Sequence, residues 1–364
     1  LTGLTVDDIS MKTIFSGFDA STHSYDVNVQ DDIYGVRLIP TAAAGAKITV
    51  NGEELKADGS YILTIPQGVN DYFQDQVVTA TIKVEDGDKT GTYTVTVTRK
   101  EVTDVYALFQ EKSYTDAETG VTLPYELYVP TNYDASKKYP LVFVLHGAGQ
   151  RNQDLYMLLA RYQSATAWAV DSEKGHNECI VVSPQIKGAD GNGWTEFMKA
   201  YDKGARSLAD ITDDADVTDP FGLQVFGLAA HNLLHEIEAE YSVDTNRVYA
   251  TGLSMGGFGS YAMAVAYPED FAAIAPVCGG LDPAKASILA ENKIAVWHAH
   301  AKDDTEVLWD AFGQPTLDAM EAAGVEYKTQ IFEAGEIYYP GPHFAWTPAY
   351  ASQEMRDWIF SHSK

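Results

Sequence analysis

The sequence predicts two folding units: an all-β sandwich over residues 1–103, followed by an α/β domain with a doubly wound, mostly parallel sheet over residues 104–364. The chain has 364 residues, of which 45% are hydrophobic and 21% are charged, so it can bury a large core. The first hundred residues contain short strand-like runs separated by turn signals, without tryptophan or cysteine. Beyond Arg99, apolar runs alternate with helical stretches, which is typical of a parallel sheet.

The charge balance and the cysteine count limit the partners and the environment of the protein. The 25 basic and 52 acidic residues give a net charge of −27, which argues against binding to nucleic acid or to an anionic membrane. No apolar stretch approaches the roughly 18 residues of a membrane span, so we expect no membrane insertion. The chain begins at Leu1 rather than at methionine, which indicates a removed leader and predicts a secreted or cell-surface protein. Cys179 and Cys278 lie in short apolar runs, and we expect both to be buried free thiols.

The clearest strands of the first unit are residues 77–84 and 91–98. In the second of them Tyr93, Val95 and Val97 alternate with threonines, a period of two that predicts one buried and one solvated face. Similar short runs recur along the unit between Asn-Gly and Asp-Gly turns. This regular spacing predicts a β-sandwich.

Three segments of the first unit are similar in sequence to a known module: Leu1–Val6, Phe18–Tyr25 and Gly91–Thr98. On these segments, residues 1–99 resemble the cadherin-like, immunoglobulin-like β-sandwich appended to secreted bacterial proteins. The resemblance implies the fold and says little about activity. We expect a spacer or structural support, with binding of carbohydrate or of a partner as the alternative.

The second unit contains six apolar runs of the kind found in parallel strands buried on both faces. They are residues 139–145, 180–184, 248–252, 272–277, 294–298 and 329–332. Helical stretches such as 226–241 and 316–323 separate them, which predicts a doubly wound sheet. Residues 195–224 fit no regular element and include the acidic segment 210–216. We expect an insertion near the mouth of a site, either a lid or a surface loop.

Residues 252–256, Gly-Leu-Ser-Met-Gly, have the form G-x-S-x-G. They follow a predicted strand and precede a helix-compatible run, residues 258–267, which is the setting of a nucleophile elbow. In that turn the oxygen of Ser254 is presented above the sheet, and the two glycines avoid a steric clash. The backbone N–H of Met255, the residue after the nucleophile, is then one donor to an oxyanion.

A serine nucleophile needs a histidine base and an orienting acid, which in this fold follow it in the order Ser, Asp or Glu, His. Of the histidines late enough in the chain, His343 lies in a loop after the last predicted strand, whereas His362 is the third residue from the end. His343 is therefore the predicted base. Asp303 and Asp304 both follow the preceding strand, and the spacing does not choose between them.

Several ordered motifs of the second unit are similar to those of one enzyme family. They are Leu145–Gly149, Val181–Gln185, Asp244–Gly257 and His343–Tyr350. On these motifs, residues 105–362 resemble the bacterial α/β-hydrolase esterases related to phospholipase/carboxylesterases and polyhydroxybutyrate depolymerases. The family places its acid four residues after a histidine, which corresponds to His300 and Asp304, and the resemblance assigns Ala148 as the second oxyanion donor. Ala301 stands where the family often has glycine.

The resemblance implies a serine carboxylic-ester hydrolase that acts through an acyl-enzyme on short acyl, acetyl or feruloyl esters, or on a polyester, outside the cell. Its partner is a small ester or an esterified polysaccharide, and no cofactor is expected. We expect no metal at His298 and His300, because further ligands are lacking nearby. Trp194 and Trp346 flank the predicted site in the sequence, either as packing residues or as a wall for the acyl group. The alternatives are a serine peptidase of the prolyl-oligopeptidase type and a non-catalytic polysaccharide-binding or adhesive protein.

Overall fold

The computed structural model describes residues 1–8, 12–29, 33, 35–66, 75–99, 105–211, 217–337 and 340–364. The chain divides into two compact units, Leu1–Asp104 and Val105–Lys364. The boundary predicted between residues 103 and 104 lies outside the described residues.

The first unit contains two β-sheets, as predicted for a sandwich. Its strands are β1 (Gly3–Asp8), β2 (Thr13–Phe15), β3 (Ser24–Val29), β4 (Gly35–Thr41), β5 (Lys47–Val50), β6 (Glu53–Glu54), β7 (Tyr61–Thr64), β8 (Gln76–Asp86) and β9 (Lys89–Arg99). The strand orders are β2-β1-β4-β7 in one sheet and β3-β9-β8-β5-β6 in the other. The predicted hairpin is the antiparallel pair β8–β9, and Tyr93, Val95 and Val97 of β9 are buried. The period of two in the sequence therefore identifies the core face of this strand.

The second unit is built on one eight-stranded sheet. Its strands are β10 (Phe109–Thr115), β11 (Thr122–Tyr128), β12 (Tyr139–Leu145), β13 (Ile180–Pro184), β14 (Val243–Leu253), β15 (Ala273–Val277), β16 (Ala295–Ala301) and β17 (Tyr327–Phe332). They lie in the order β10-β11-β13-β12-β14-β15-β16-β17. The six predicted strands, β12 to β17, are parallel to one another, whereas β10 and β11 add an antiparallel edge next to β13. The predicted doubly wound, mostly parallel sheet is confirmed.

Helices follow most of the parallel strands. They are α1 (Met157–Ala160), α2 (Thr166–Glu173), α3 (Phe197–Tyr201), α4 (Val225–Glu240), α5 (Met255–Ala266), α6 (Ala286–Glu291), α7 (Gln314–Ala323), α8 (Trp346–Ala351) and α9 (Gln353–Phe360). Short 3-10 helices span Tyr106–Leu108, Ala148–Gln150, Leu208–Asp210, Pro283–Lys285 and Pro342–Phe344, and a π-helix spans Trp309–Gly313. Across the described ranges, none of the helices combines the length and the hydropathy that a membrane crossing requires.

The sheet of the second unit is covered on both faces. Every residue of β12 is buried, which places side chains of both faces in a core. Leu141, Phe143 and Leu145 form a cluster with Leu233 of α4 and Tyr261 of α5, and α9 packs against β15 and β16. This burial explains why the strands read as continuous apolar runs rather than as an alternating pattern.

Candidate active site

Ser254 lies between the end of β14 and the start of α5, in a strained backbone conformation with φ of 77° and ψ of −109°. A positive φ is uncommon for a residue with a side chain and is typical of functional turns. The N–H of Ser254 donates to the carbonyl of Val277 at 2.8 Å, which fixes the turn against β15. The local structure is the nucleophile elbow that the motif predicts.

The two glycines of the motif are required by a close approach of two backbones. A Cβ on Gly252 would lie 2.4 Å from the carbonyl oxygen of Leu145, and a Cβ on Gly256 would lie 1.8 Å from the same atom. Leu145 is the last residue of β12 and pairs in register with Gly252. The end of β12 therefore passes directly beside the elbow, which only residues without a side chain permit.

Ser254, His343 and Asp304 form a hydrogen-bonded series, called the triad below. The Oγ of Ser254 lies 3.0 Å from Nε2 of His343, and Nδ1 of His343 lies 2.7 Å from Oδ2 of Asp304. Asp303 accepts instead from the backbone N–H of Gly335 at 2.8 Å. Of the two carboxylates left open by the spacing, Asp304 is the one that meets the histidine.

Asp304 is buried and is held as an anion by its donors. Its Oδ1 accepts the backbone N–H groups of Glu306 at 2.8 Å and Val307 at 2.9 Å. Nε2 of His300 lies 3.4 Å from Oδ2. Burial alone would raise the pKa of Asp304, but hydrogen bonds from His300 and His343 outweigh it and hold the pKa well below its usual value. An ionised Asp304 accepts a hydrogen bond from the Nδ1–H of His343, which leaves Nε2 with a lone pair toward Ser254.

Cys278 supports the loop that carries His343, a role that the sequence did not predict. Its thiol donates to the carbonyl oxygen of His343 at 3.4 Å. Cys278 follows β15 with a φ of 49°, and it is fully buried. Burial raises the pKa of this thiol well above its usual value, so it remains a neutral donor. Both cysteines are free and buried, as expected.

The two predicted oxyanion donors lie at the first positions of two helices. Met255 begins α5, and Ala148 begins the 3-10 helix after β12. Backbone N–H groups in the first turn of a helix lack an acceptor within that helix, so both are available to a ligand. The β12–β14 register brings the two loops together next to Ser254.

His146 uses both of its ring nitrogens to hold the Ala148 loop. Its Nε2 accepts the N–H of Ile186 at 2.9 Å, and its Nδ1–H donates to the carbonyl of Gly147 at 2.7 Å. Burial lowers the pKa of His146 to about 4, so the ring is neutral near pH 7. The side chain of Gln150 accepts the N–H of Gly147 at 3.2 Å and adds a further support to this loop.

The prediction that Trp194 and Trp346 present surface to a substrate needs correction. Trp194 has no exposed surface, and its indole N–H donates to the carbonyl of His146 at 3.0 Å. Trp346 is 3% exposed, and its ring meets the ring of His343 edge-on at a centroid distance of 4.9 Å. Both side chains are buried and contact residues of the site, and they present almost no surface to a substrate.

The insertion at residues 195–224 is more ordered than its sequence indicates. Residues Phe197–Tyr201 form α3, contrary to the prediction that no regular element lies here. Phe197 is buried against Phe258, one turn after Ser254, and against Phe312 of the π-helix, at ring distances of 5.2 and 5.1 Å. Of the acidic segment 210–216, residues 212–216 lie outside the described residues.

The two histidines of β16 are engaged in local hydrogen bonds. Nδ1 of His298 lies 2.9 Å from the hydroxyl of Tyr261, and Nε2 of His300 lies 2.8 Å from the carbonyl of Val307. Cys278, Asp304 and His343 bring three possible ligand atoms within 4.8 Å of one another. In that group the protonated thiol is a poor metal ligand, and the other two side chains already form a hydrogen bond.

Comparison with known proteins identifies relatives of both units. Residues 1–100 match the family described as "Cadherin-like beta sandwich domain", and residues 117–330 match the family Esterase, described as "Putative esterase". The chain is 31% identical over 176 residues to poly(3-hydroxyalkanoate) depolymerase C of Paucimonas lemoignei, covering 48% of this chain and 35% of that protein. It is 28% identical over 157 residues to "Probable feruloyl esterase C" of Aspergillus terreus, covering 43% of this chain and 46% of that protein.

These alignments span about a third to a half of the relatives' own length. Among solved structures, a thermostable esterase is similar with a TM-score of 0.64 and 24% identity, over 95% of this chain and all of that one. At this level of identity the likeness establishes the fold. It agrees with the predicted α/β-hydrolase domain preceded by a β-sandwich.

Proposed function

The chain belongs to the Esterase family, and from this premise we propose that it hydrolyses carboxylic esters with Ser254 as the nucleophile. The observation that carries the proposal is the hydrogen-bonded series from Ser254 through His343 to Asp304. Each of the three groups has the partner that its role requires, since a serine hydroxyl needs a base and the base needs an orienting acid. The chemistry requires no cofactor.

In the proposed reaction, Oγ of Ser254 attacks the ester carbonyl while Nε2 of His343 accepts its proton. Asp304 holds His343 in the tautomer that permits this transfer and stabilises the imidazolium that forms. The N–H groups of Met255 and Ala148 donate to the developing oxyanion. His343 then protonates the leaving alcohol, and water activated by the same residue hydrolyses the acyl-enzyme.

The substrate class follows from the relatives and from the aromatic surroundings of His343. The relatives are named for a polyester and for feruloyl esters, so we propose short acyl, acetyl or feruloyl esters or a polyester, met outside the cell. Tyr162 and Phe344 are partly exposed and pack around Trp346, at ring distances of 5.1 and 4.5 Å. The exposed parts of these two side chains offer aromatic surface to an aromatic acyl group, which favours the feruloyl class.

A fluorophosphonate probe tests the serine mechanism directly. The intact protein is treated with the probe, digested, and analysed by mass spectrometry, with the Ser254→Ala variant as the control. We expect one label per chain on Ser254 and none on the variant. An active protein that hydrolyses esters but takes no label on Ser254 would contradict the proposal.

A substrate panel separates the ester classes and the alternative activities. It contains p-nitrophenyl acetate, methyl ferulate, acetylated xylan, a poly(3-hydroxybutyrate) film and a prolyl peptide p-nitroanilide. We expect the highest kcat/KM with methyl ferulate among the soluble esters and no peptide cleavage. Peptide cleavage faster than ester cleavage would assign the triad to a peptidase, and no turnover of any substrate would favour a non-catalytic binding protein.

A further inference from the structure

Two histidines and an aspartate of the second unit lie close together. They lie at the ends of the parallel strands opposite to those near Ser254. His231 and His235 lie one turn apart on α4, and Asp270 lies in the loop between α5 and β15. Nε2 of His231 lies 2.7 Å from Oδ2 of Asp270 and 3.2 Å from Nε2 of His235. Nε2 of His235 lies 3.5 Å from the same carboxylate oxygen. Three potential ligand atoms therefore point at one another.

Two of the three separations between these atoms match those of a tetrahedral zinc site. With metal–ligand bonds of about 2.0 to 2.1 Å, two ligands of such a site lie about 3.3 Å apart. The separations from His235 to the other two groups, 3.2 and 3.5 Å, already have this value. Only the hydrogen-bonded distance between His231 and Asp270, 2.7 Å, must open by about half an ångström.

The surroundings hold the ligands in place as an outer shell of a metal site does. Nδ1 of His235 lies 2.8 Å from Oε2 of Glu238, so a carboxylate fixes the tautomer that leaves Nε2 with its lone pair. The ring of His231 stacks on the ring of Tyr267 at 3.4 Å with an angle of 4°. Nζ of Lys364 donates to the backbone carbonyl of Asp270 at 3.0 Å and not to its carboxylate.

The three ligands differ in exposure in a way that leaves one side open. The side chains of His231 and Asp270 are 9% and 14% exposed, whereas that of His235 is 46% exposed. An ion can enter from the side of His235, and water can take the fourth position. We propose that His231, His235 and Asp270 bind one divalent ion of the zinc class, which Glu238 supports from behind His235.

The position of this site predicts a structural role. Ser254 follows the carboxyl end of β14, whereas Asp270 precedes the amino end of β15. Because the two strands are parallel, the two residues lie at opposite ends of the strands. A metal bound here joins α4 to the α5–β15 loop and contacts no residue of the triad. It therefore stabilises the folded unit without entering the reaction.

Zinc titration of the chelator-treated full chain tests the proposal, with isothermal calorimetry for binding and thermal unfolding for stability. We expect one ion per chain and a rise in Tm with zinc concentration, at unchanged kcat on a small ester. His235→Ala is expected to weaken zinc binding by at least about 100-fold, and Glu238→Gln by about 10- to 100-fold. His235 is exposed and Glu238 is partly exposed on α4, so both variants are expected to fold.

His176→Ala is the matched control. His176 forms a comparable surface pair with Asp357 at 2.7 Å, near Asp171, but without a second histidine. Its replacement is expected to leave zinc affinity and the zinc-dependent rise in Tm unchanged. The proposal is overturned if the wild-type chain binds no zinc at micromolar concentrations, or if His235→Ala binds it as tightly as the wild type. It is also overturned if His176→Ala, rather than His235→Ala, weakens zinc binding and abolishes the zinc-dependent rise in Tm.

Discussion

The indole N–H of Trp194 donates to the carbonyl oxygen of His146 at 3.0 Å, inside the fully buried layer behind the Ala148 loop. His146 is also fixed through its ring, which bonds to the N–H of Ile186 and to the carbonyl of Gly147. The loop that presents the Ala148 N–H is thus held from two directions. We infer that Trp194 positions an oxyanion donor rather than touching the substrate.

Trp194→Phe is expected to lower kcat by roughly 10-fold with little change in KM. The substitution keeps most of the packing and removes one hydrogen bond, which costs about 1 kcal/mol of stability. A loosened oxyanion donor weakens stabilisation of the transition state more than binding of the ground state. Steady-state kinetics on a soluble ester give the two constants.

Trp168→Phe provides the comparison for this variant. Trp168 is also buried and donates to a backbone carbonyl, that of Ser164 at 2.9 Å, away from the triad. It is expected to lose a similar amount of stability and to retain kcat. Equal losses of kcat in Trp194→Phe and Trp168→Phe would contradict the proposal that Trp194 positions an oxyanion donor.

Asp304→Asn is expected to lower kcat by about 10⁴-fold, because an amide favours the wrong tautomer of His343. Asp303→Asn is the matched change on the neighbouring residue and is expected to stay within a few-fold of the wild type. Asp303 contacts the backbone of Gly335 and not the triad. Measuring kcat for both variants on one ester is sufficient, and the reverse ranking would move the acid to Asp303.

The pH dependence of stability is expected to reflect a buried carboxyl on β11. Glu126 is 2% exposed and lies opposite Glu111 in the β10–β11 pairing. Burial first, and then the charges of Glu111 and Asp154, raise the pKa of Glu126 from 4.5 to about 7. The folded state therefore holds this proton more tightly than the unfolded state, and the free energy of unfolding falls as pH rises from about 4.5 to 7.

Glu126→Gln tests this assignment by removing the titration. The loss of stability attributable to Glu126 is roughly 3 to 4 kcal/mol, at 1.36 kcal/mol for each tenfold change in proton affinity. The variant is expected to be more stable than the wild type at pH 8 and no more stable at pH 4. Denaturant unfolding at the two pH values measures the difference, and a gain of the same size at both would contradict the assignment.

Removal of the first unit is expected to leave the chemistry intact. A chain that begins at Thr103 retains all the proposed catalytic residues, which belong to the unit Val105–Lys364. We expect its kcat on p-nitrophenyl acetate to remain within a few-fold of the full chain. A loss confined to acetylated xylan or a polyester film would assign polymer binding to the first unit. If the truncated chain is folded but does not hydrolyse the small ester, the role of the first unit as a spacer is contradicted.

The elements that could be predicted are those marked by a contiguous pattern of residues in the sequence. The strand over residues 180–184 has its predicted bounds, and the apolar run 139–145 corresponds to β12. The elbow at Ser254 was predicted because its glycines and flanking elements form a contiguous pattern. The family resemblance is confirmed by the matches to the cadherin-like and Esterase families.

The sequence could not supply features that depend on contacts between distant residues. β10 and β11 form an antiparallel edge and lack the continuous apolar runs of the central strands, so they were not predicted. α3 has only five residues, too few to show a helical pattern of apolar residues in the sequence. It is stabilised by the packing of Phe197 against Phe258 and Phe312. The choice between Asp303 and Asp304 from spacing alone, and the burial of Trp194, likewise required the folded chain.

The most direct test of the proposed mechanism is the kcat of Ser254→Ala on p-nitrophenyl acetate, measured on a preparation free of wild-type enzyme. Circular dichroism and the Tm establish that the variant is folded. We predict that kcat falls by about 10⁴-fold or more, to the level that substrate binding and the oxyanion donors alone can maintain. Turnover by the folded variant close to that of the wild type would contradict the assignment of Ser254 as the nucleophile.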